Sequence, residues 1–315
     1  ETLKEVMTGE ATPAQIASFI TAFRIQGETP DVIAGCAAAM REQFTDVEPH
    51  SDRAVDTCGT GGDHSNTFNI STASALVTAG AGITVAKHGN KSVSSKSGSA
   101  DVLEALGVNI GVAPETMSEC LKEIRIAFLF APALHPAMKH AIGPRREIGI
   151  RTIFNILGPL SNPARARFGV LGVYDKDLVP VMAEAATALG AEHLFIVHGL
   201  DGLDEITTTT NSVIGEVKQG AFSVREISPG DAGLETAKPE YLVGGEPADN
   251  AEIIKAVLAG EQGPRRDIVL INAAAAIVAG GQAETLSDGV EKAAESIDSG
   301  AAQAKLDALI ERTNA

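Results

Sequence analysis

The sequence predicts an α/β fold, in which a small helical domain joins a larger α/β domain with a mostly parallel central sheet flanked by helices. Three observations carry this. From about residue 52 onward, short apolar runs alternate with helical stretches, the pattern of repeated βα units. Residues 1–50 show helical spacing alone. The 315 residues, 44% of them hydrophobic, suffice for one large or two modest domains with a sizeable core.

The elements follow in order. Thr12-Pro13-Ala14-Gln15 is a helix start, with Thr as cap, Pro at the first position and Gln at the third. Ile16, Phe19, Ile20 and Phe23 follow at helical spacing. That stripe reads as core or as a subunit interface, since a short helical segment has little core of its own. Thr29-Pro30 opens a second helix through Ile33 and Met40. Strands are expected in ITVAKHG (83–89), AFLFAP (127–132), RFGVLGVYD (167–175) and HLFIVHG (193–199). Helices are expected at about 69–82, 99–107, 114–124 and 178–189. Residues 212–228 read as a hairpin turning at Gln219-Gly220. The end is helical at 250–259, 264–279 and 288–312, and INAAAAIVAGG (271–281) reads as a tightly packed buried helix. The Pro-, His- and Arg-rich stretch 133–166 interrupts the pattern. It reads as an excursion at about 136–163 that packs with the N-terminal helices and divides the α/β domain into 51–135 and 164–315.

Charge and composition narrow the function. The net charge is −16, from 41 acidic and 25 basic residues, and such a field repels nucleic acid and anionic membrane. It repels a polyanionic substrate too, so a phosphate site here must rely on local Lys or Arg, backbone N–H groups and metal. Cys36, Cys58 and Cys120 are odd in number without C-x-x-C spacing, which argues against a disulfide framework or zinc site and fits a reducing cytoplasm. No run of 18 apolar residues predicts a membrane span. The opening ETLKEVMTGEATPAQ lacks a signal-peptide pattern, and its abrupt start reads as a chain short of a few N-terminal residues.

Four blocks carry chemistry. In GTGGDHSNTFNISTASA (59–75), glycines at 59, 61 and 62 permit a close backbone approach, and Asn69, Ser71 and Thr72 open a helix whose N–H and hydroxyl groups suit phosphate or metal. An ordinary glycine turn with a Ser/Thr cap is the competing reading. Neither the dinucleotide nor the P-loop fingerprint is present. In KHGNKSVSSKSGSADVLEALG (87–107), Lys87, Lys91 and Lys96 alternate with hydroxyls between a strand and a helix, which suits pyrophosphate. A solvated polar loop is the alternative. In the excursion, His135, Arg145, Arg146 and Arg151 bring cations that suit a substrate carboxylate or merely surface ion pairs with acids such as Glu147. Lastly, Asp204-Glu205 follows a strand end, where α/β sites lie. This pair suits Mg²⁺, with a solvated turn or acid–base work as alternatives.

These blocks, in this order and over nearly the whole chain, resemble the anthranilate phosphoribosyltransferases. The resemblance runs from TPAQIASF through GTGGD, KHGN, SGSADVLEALG, HPAMKH, RTIFNILGPLSNPA and GLDE to ISPGDAGL. KHGN and the RTIFNILGPLSNPA block are the most specific, because pyrimidine nucleoside phosphorylases share the fold and a glycine/lysine/serine phosphate site. The resemblance implies hinged domains with the substrates between them and a homodimer formed through the helical domains. It implies that Gly59, Gly61, Gly62, Asp63, Thr67, Asn69, Ser71, Thr72, Lys87, Asn90, Ser95 and Ser99 bind phosphoribosyl pyrophosphate. Ser71, Asp204 and Glu205 would hold Mg²⁺. Gly59, His88, Asn90, His135, Met138 and Arg145 would receive anthranilate. Lys91 stands where the resemblance leads one to expect Arg, which puts a bidentate contact there in question. Three other readings compete: a nucleoside phosphorylase, a nucleic-acid-binding homologue and a scaffold. The acidic pair and Arg145 argue against the first, the charge against the second, and the pairing of glycine turns with lysines against the third.

Overall fold

The computed structural model describes residues 1–63, 65–92 and 96–315. Three helices come first: α1 (Thr2–Thr8), α2 (Pro13–Gln26) and α3 (Pro30–Arg41). The predicted start of α2 is a full capping box, with Gln15 N donating to Thr12 Oγ1 (3.3 Å) and Thr12 N donating to Gln15 Oε1 (2.8 Å). The α/β part follows in order as β1 (Val55–Gly59), α4 (Ile70–Gly80), β2 (Val85–Gly89), α5 (Ser99–Ala105), α6 (Pro114–Glu123) and β3 (Ile126–Phe130). The excursion supplies α7 (Ala131–Leu134), α8 (Lys139–Ile148) and α9 (Phe154–Leu157). The chain then returns through β4 (Phe168–Gly172), α10 (Leu178–Ala188) and β5 (His193–Gly199). It continues with β6 (Ser212–Lys218), β7 (Ala221–Ile227), α11 (Pro247–Leu258) and α12 (Pro264–Ala279), and ends in α13 (Leu286–Asp298) and α14 (Ala301–Asn314).

The strands form one sheet in the order β3-β2-β1-β4-β5-β6-β7. The first five are parallel, and β6 and β7 are antiparallel. Gln219 and Gly220 both take positive φ, the two-residue turn that matches strand twist, so the predicted hairpin forms. One expected element differs: the stretch 288–312 is two helices, not one. Gly300 takes φ 76° and breaks the run, while the apolar period persists on both sides of it.

Two cores sandwich the sheet. On one face Leu76, Leu103, Ile254, Ile277 and Leu306 pack together from α4, α5, α11, α12 and α14. On the other, Ile16, Ile20, Ile33 and Met40 of α2 and α3 share a cluster with Phe154 and Leu157 of α9 and with Met182 and Ile196 of α10 and β5. The stripe of α2 is thus half explained as core. From the stretch 136–163, Ala141 of α8 also joins this cluster. From β1 the chain adds β2 and β3 to one side, then crosses to place β4 and β5 on the other. That reversal opens a crevice at the C-terminal ends of β1 and β4, the place where open parallel sheets bind ligands.

Candidate functional site

Gly59 and Gly172 end the two strands that flank this crevice, and they pair directly across it. Both are glycine for one reason. A Cβ on Gly59 would overlap the Asp204 carboxylate, and one on Gly172 would overlap the Asp204 carbonyl. The acidic pair therefore sits directly over the crevice, held by strands about 140 and 30 residues upstream in the chain. Beyond Gly59, Gly61 and Gly62 take φ 64° and 74°, which side chains rarely adopt. That turn aims Gly61 N at Asp204 Oδ2 (2.7 Å). Arg151, lying 4.1 Å over the Tyr174 ring, donates to the Gly62 carbonyl.

Helix α4 points its N-terminus at the same place. The backbone N–H of Ser71, in its first turn, favours the ionised form of Glu205, as a helix N-terminus does for a nearby carboxylate. The carboxyls of Asp204 and Glu205 are both pushed above the ordinary carboxylate range. Burial is the first cause, and neighbouring acids are the second: Asp63 for Asp204, and Asp204 for Glu205. Lys87 works against this rise. Its ammonium is buried, donating to Thr57 O (2.7 Å) and lying 3.3 Å from Ser71 Oγ. The structure thus places Lys87 beneath the carboxylates rather than in an open path. Asn69 is fully engaged, accepting from Ser97 Oγ (3.0 Å) and from Asn250 Nδ2 (2.9 Å). The Thr72 hydroxyl is buried without a hydrogen-bond partner among the described residues, and its N–H bonds the Asn69 carbonyl. Thr67 bridges to Val243 and shares a hydroxyl contact with Ser65 (3.2 Å).

Strand β2 leads into the second loop. Asn90 and Ser99 meet there, the Ser99 hydroxyl donating to Asn90 O (3.3 Å). Asp101 fastens the loop by accepting from Ser92 N (2.9 Å) and Gly98 N (2.8 Å). Lys91 forms an exposed pair with Glu104 (2.8 Å). Ser95, expected at this site, lies outside the described residues.

The opposite wall comes from the excursion. His88 and His135 face each other, Nε2 to Nε2, at 3.1 Å. Burial, and for His88 the neighbouring His135, push them down to about 3 and about 4, so both are neutral at pH 7. His88 also bonds the Gly158 backbone. Its Nδ1 is then the donor, its Nε2 accepts from His135, and His135 Nδ1 is left as a buried acceptor without a partner. Met138, partly buried, packs against the core cluster of the N-terminal helices. Arg145 lies half-buried over the Phe154 ring at 5.2 Å, and desolvation lowers its guanidinium pKa. Among the described residues no acid lies within ion-pair distance of it. Arg151, the other inner cation of this segment, is committed to Gly62.

One further cluster was not expected. Donor atoms of Asp56, Cys58 and His88 lie within 4.8 Å of one another. They have partners already: Asp56 accepts from Asn162 Nδ2 (2.6 Å) and His88 N (3.0 Å), and both His88 ring nitrogens are bonded. Burial, above all, pushes the Cys58 thiol up. We read this group as a brace for β1 and β2, with Asn162 as its keystone. The hard oxygens of Ser71, Asp204 and Glu205 fit Mg²⁺ better, because the two carboxylates repel each other and Lys87, their nearby cation, spends its hydrogen bonds on Thr57 and Ser71. Asn162 and Asn250 were missed from sequence. Their one signal is an amide next to proline or alanine, in LSNPA and DNAEI.

Residues 51–303 match the glycosyl transferase family a/b domain, and residues 1–44 match its helical bundle domain. The chain is 53% identical over 314 residues to an anthranilate phosphoribosyltransferase of Acetivibrio thermocellus, covering 100% of this chain and 91% of that one. It is 52% identical to that of Geobacter sulfurreducens, covering 100% and 94%. The crystal structure of the Thermus thermophilus enzyme superposes with a TM-score of 0.95 at 41% identity, covering 100% and 94%. That of the Saccharomyces cerevisiae enzyme in complex with PRPP and Mg gives 0.89 at 31% identity, covering 99% and 90%.

Proposed function

Since the chain belongs to the anthranilate phosphoribosyltransferases of the glycosyl transferase family, we propose that its cleft carries the 5-phosphoribosyl group from phosphoribosyl pyrophosphate to the amine of anthranilate. The products are N-(5-phosphoribosyl)anthranilate and pyrophosphate, a step of tryptophan biosynthesis. One observation supports this above the rest. A carboxylate pair raised by burial and by neighbouring acids sits over the switch-point crevice, and the excursion carries a half-buried guanidinium, Arg145, with no acid within ion-pair distance among the described residues.

Ser71, Asp204 and Glu205 would hold Mg²⁺, which when bound offsets the charge of the pyrophosphate leaving group. The chain's own groups do the rest. The turn at Gly59–Gly62 lets backbone come close to the phosphoribosyl moiety, with Asp63, Thr67, Asn69, Ser71 and Thr72 beside it. Asn90 and Ser99 border the pyrophosphate. Lys87 holds the potential beneath the carboxylates in check. Arg145 takes the anthranilate carboxylate, charge to charge. His88, His135, Asn90 and Met138 surround the aromatic ring, and the neutral imidazoles add no charge to compete with Arg145. As the C1–O bond to pyrophosphate breaks, positive charge develops on the ribose, and the aryl amine forms the C1–N bond from the opposite face. That amine is uncharged at neutral pH and attacks without a strong base; the proton it sheds once the C1–N bond has formed goes to the departing pyrophosphate or to water. Catalysis then rests on positioning, which supplies roughly 7–11 kcal/mol when reacting groups are well oriented.

We also assign a homodimer through the helical segment. Ile25 of α2 is 82% exposed, and Phe19 and Phe23 stack edge to face on a partly open surface. No helix is long and apolar enough to cross a membrane among the described residues, and we place the protein in the cytoplasm.

The test is to mix protein, Mg²⁺, phosphoribosyl pyrophosphate and anthranilate and follow anthranilate fluorescence. Loss that requires every component supports the assignment. No loss, with phosphate-dependent cleavage of a pyrimidine nucleoside instead, would replace it with a phosphorylase.

A further inference from the structure

Helix α12 is buried without interruption from Ile268 to Ala279, and Asn272 is the one polar side chain in that run, 2% exposed. A buried amide in an apolar helix is unfavourable unless its hydrogen bonds are made. Those of Asn272 converge on one residue. Its Oδ1 accepts from Ile206 N at 2.9 Å, and its Nδ2 donates to Ile206 O at 2.8 Å. The second Nδ2 proton goes to Ile268 O, at 2.8 Å on its own helix. Asn272 therefore clasps both backbone groups of the residue that directly follows Asp204-Glu205.

The position of that clasp matters because the acidic pair lies in a segment without regular structure between β5 and β6. Asp204 and Glu205 repel each other and Asp63. An irregular segment carrying two such groups relieves the repulsion by moving outward. The clasp opposes this by fastening the segment to a core helix. The same helix also fixes the other oxygen donor: Ser74 Oγ donates to Val269 O at 3.3 Å and ties α4, the helix of Ser71, to α12. Asn272, Glu205 and Ser71 line one small cavity of about 10 Å³. Thus α12 is the common reference for hydroxyl and carboxylates alike.

We propose that Asn272 is a positioning residue: by clasping Ile206 it sets the distance of Asp204 and Glu205 from Ser71, and so the affinity of this site for a divalent cation. The inference rests on the reading of Asp204-Glu205 as the cation-binding pair. It assigns Asn272 no contact with substrate.

The experiment compares Asn272→Leu, close in volume but without hydrogen bonds, with Asp204→Ala/Glu205→Ala and the parent protein. The readouts are Mn²⁺ binding by electron paramagnetic resonance in the presence of phosphoribosyl pyrophosphate, the Mg²⁺ concentration for half-maximal rate, the KM for anthranilate, and the melting temperature. Asn272→Leu is expected to weaken Mn²⁺ binding and raise the Mg²⁺ half-saturation roughly 10- to 100-fold, the usual effect of losing a group that orients a metal ligand. The KM for anthranilate should stay within about twofold, because Asn272 hydrogen-bonds Ile206 and Ile268 and lines a cavity that none of His88, His135, Met138 and Arg145 enters. Unchanged cation binding in Asn272→Leu, with binding lost in the double alanine variant, would overturn the clasp alone. Unchanged binding in the double variant would overturn the cation-site reading and the clasp with it. If Asn272→Leu does not fold, Asn272→Ala decides, since water can enter the vacated space and bond Ile206. A smaller weakening in the same direction is expected there, and none would overturn the proposal.

Discussion

Strands β1 and β2 carry polar side chains on both faces, and the two faces treat them oppositely. On one, Thr57 and Lys87 point to α4 and the acidic pair. On the other, Asp56, Cys58 and His88 point to the excursion and to Asn162, His135 and Gly158. On the second face the charge is relieved: its carboxylate accepts an amide and a backbone N–H, and its imidazoles are neutral and bonded to each other. The first leaves two carboxylates raised by burial and by neighbouring acids, with one buried ammonium as counter-charge. Burial alone does not distinguish a structural acid from a functional one, for Asp56 is also pushed up, to about 6. What distinguishes them is whether the neighbours relieve the charge or add to it.

The contrast can be broken most forcefully by Asp204→Ala/Glu205→Ala. Transfer should fall on the order of a thousand-fold, the several kcal/mol that a bound cation contributes to a charged transition state. A loss under tenfold in kcat/KM would place the metal elsewhere. Removing the open cation of the other wall is expected to cost less. Arg145→Ala should raise the KM for anthranilate roughly 10- to 100-fold, as for a charge-assisted contact of about 1.5–3 kcal/mol. An unchanged KM, read from initial rates at saturating phosphoribosyl pyrophosphate, would refute that role. Gly172→Ala tests the crevice itself. Its Cβ would meet the Asp204 carbonyl, so the loop must shift and Mg²⁺ half-saturation should rise about tenfold. Wild-type dependence there would mean that the loop is held less closely than the geometry indicates.

The smallest effect sharpens the relieved face. His88 and His135 have folded pKa values depressed to about 3 and about 4 from 6.5. Their contribution to stability is therefore full about a pH unit or more above 6.5 and is lost as pH falls through 6.5 toward the folded values. Between pH 7.5 and 6.5 the loss is about 0.4 kcal/mol per group, and below that it approaches about 1.4 kcal/mol per pH unit per group. The urea midpoint should fall accordingly, and His135→Asn should flatten the slope. A slope that the variant leaves unaltered would show that other groups carry it.

Legibility in the sequence followed the range of the interaction. The capping box at Thr12 and the Gln219-Gly220 turn act over two to four residues and form as read. Gly59, Gly61 and Gly62 announced a close approach, but not that Asp204 would be what approaches. Lys87 was legible as a cation and not as a buried one, because its partners Thr57 and Ser71 arrive from other elements. Arg145 and Arg151 looked alike, yet only packing sets one over Phe154, with no acid within ion-pair distance among the described residues, and binds the other to Gly62. Asn272 stood in INAAAA as a polar exception, while its partner lies 66 residues upstream.

The sequence by itself determined the fold class, the order of the elements and the chemical types at the site, since periodicity and turn chemistry are written into neighbouring residues. Only the tertiary structure decided which faces are wet, which helix end lies near Glu205 and which charges go unrelieved. The physical reason is the crossing of the chain after β3. It sets β4 beside β1, and hydrogen bonds between groups a hundred residues apart exist only once that sheet order has brought them together.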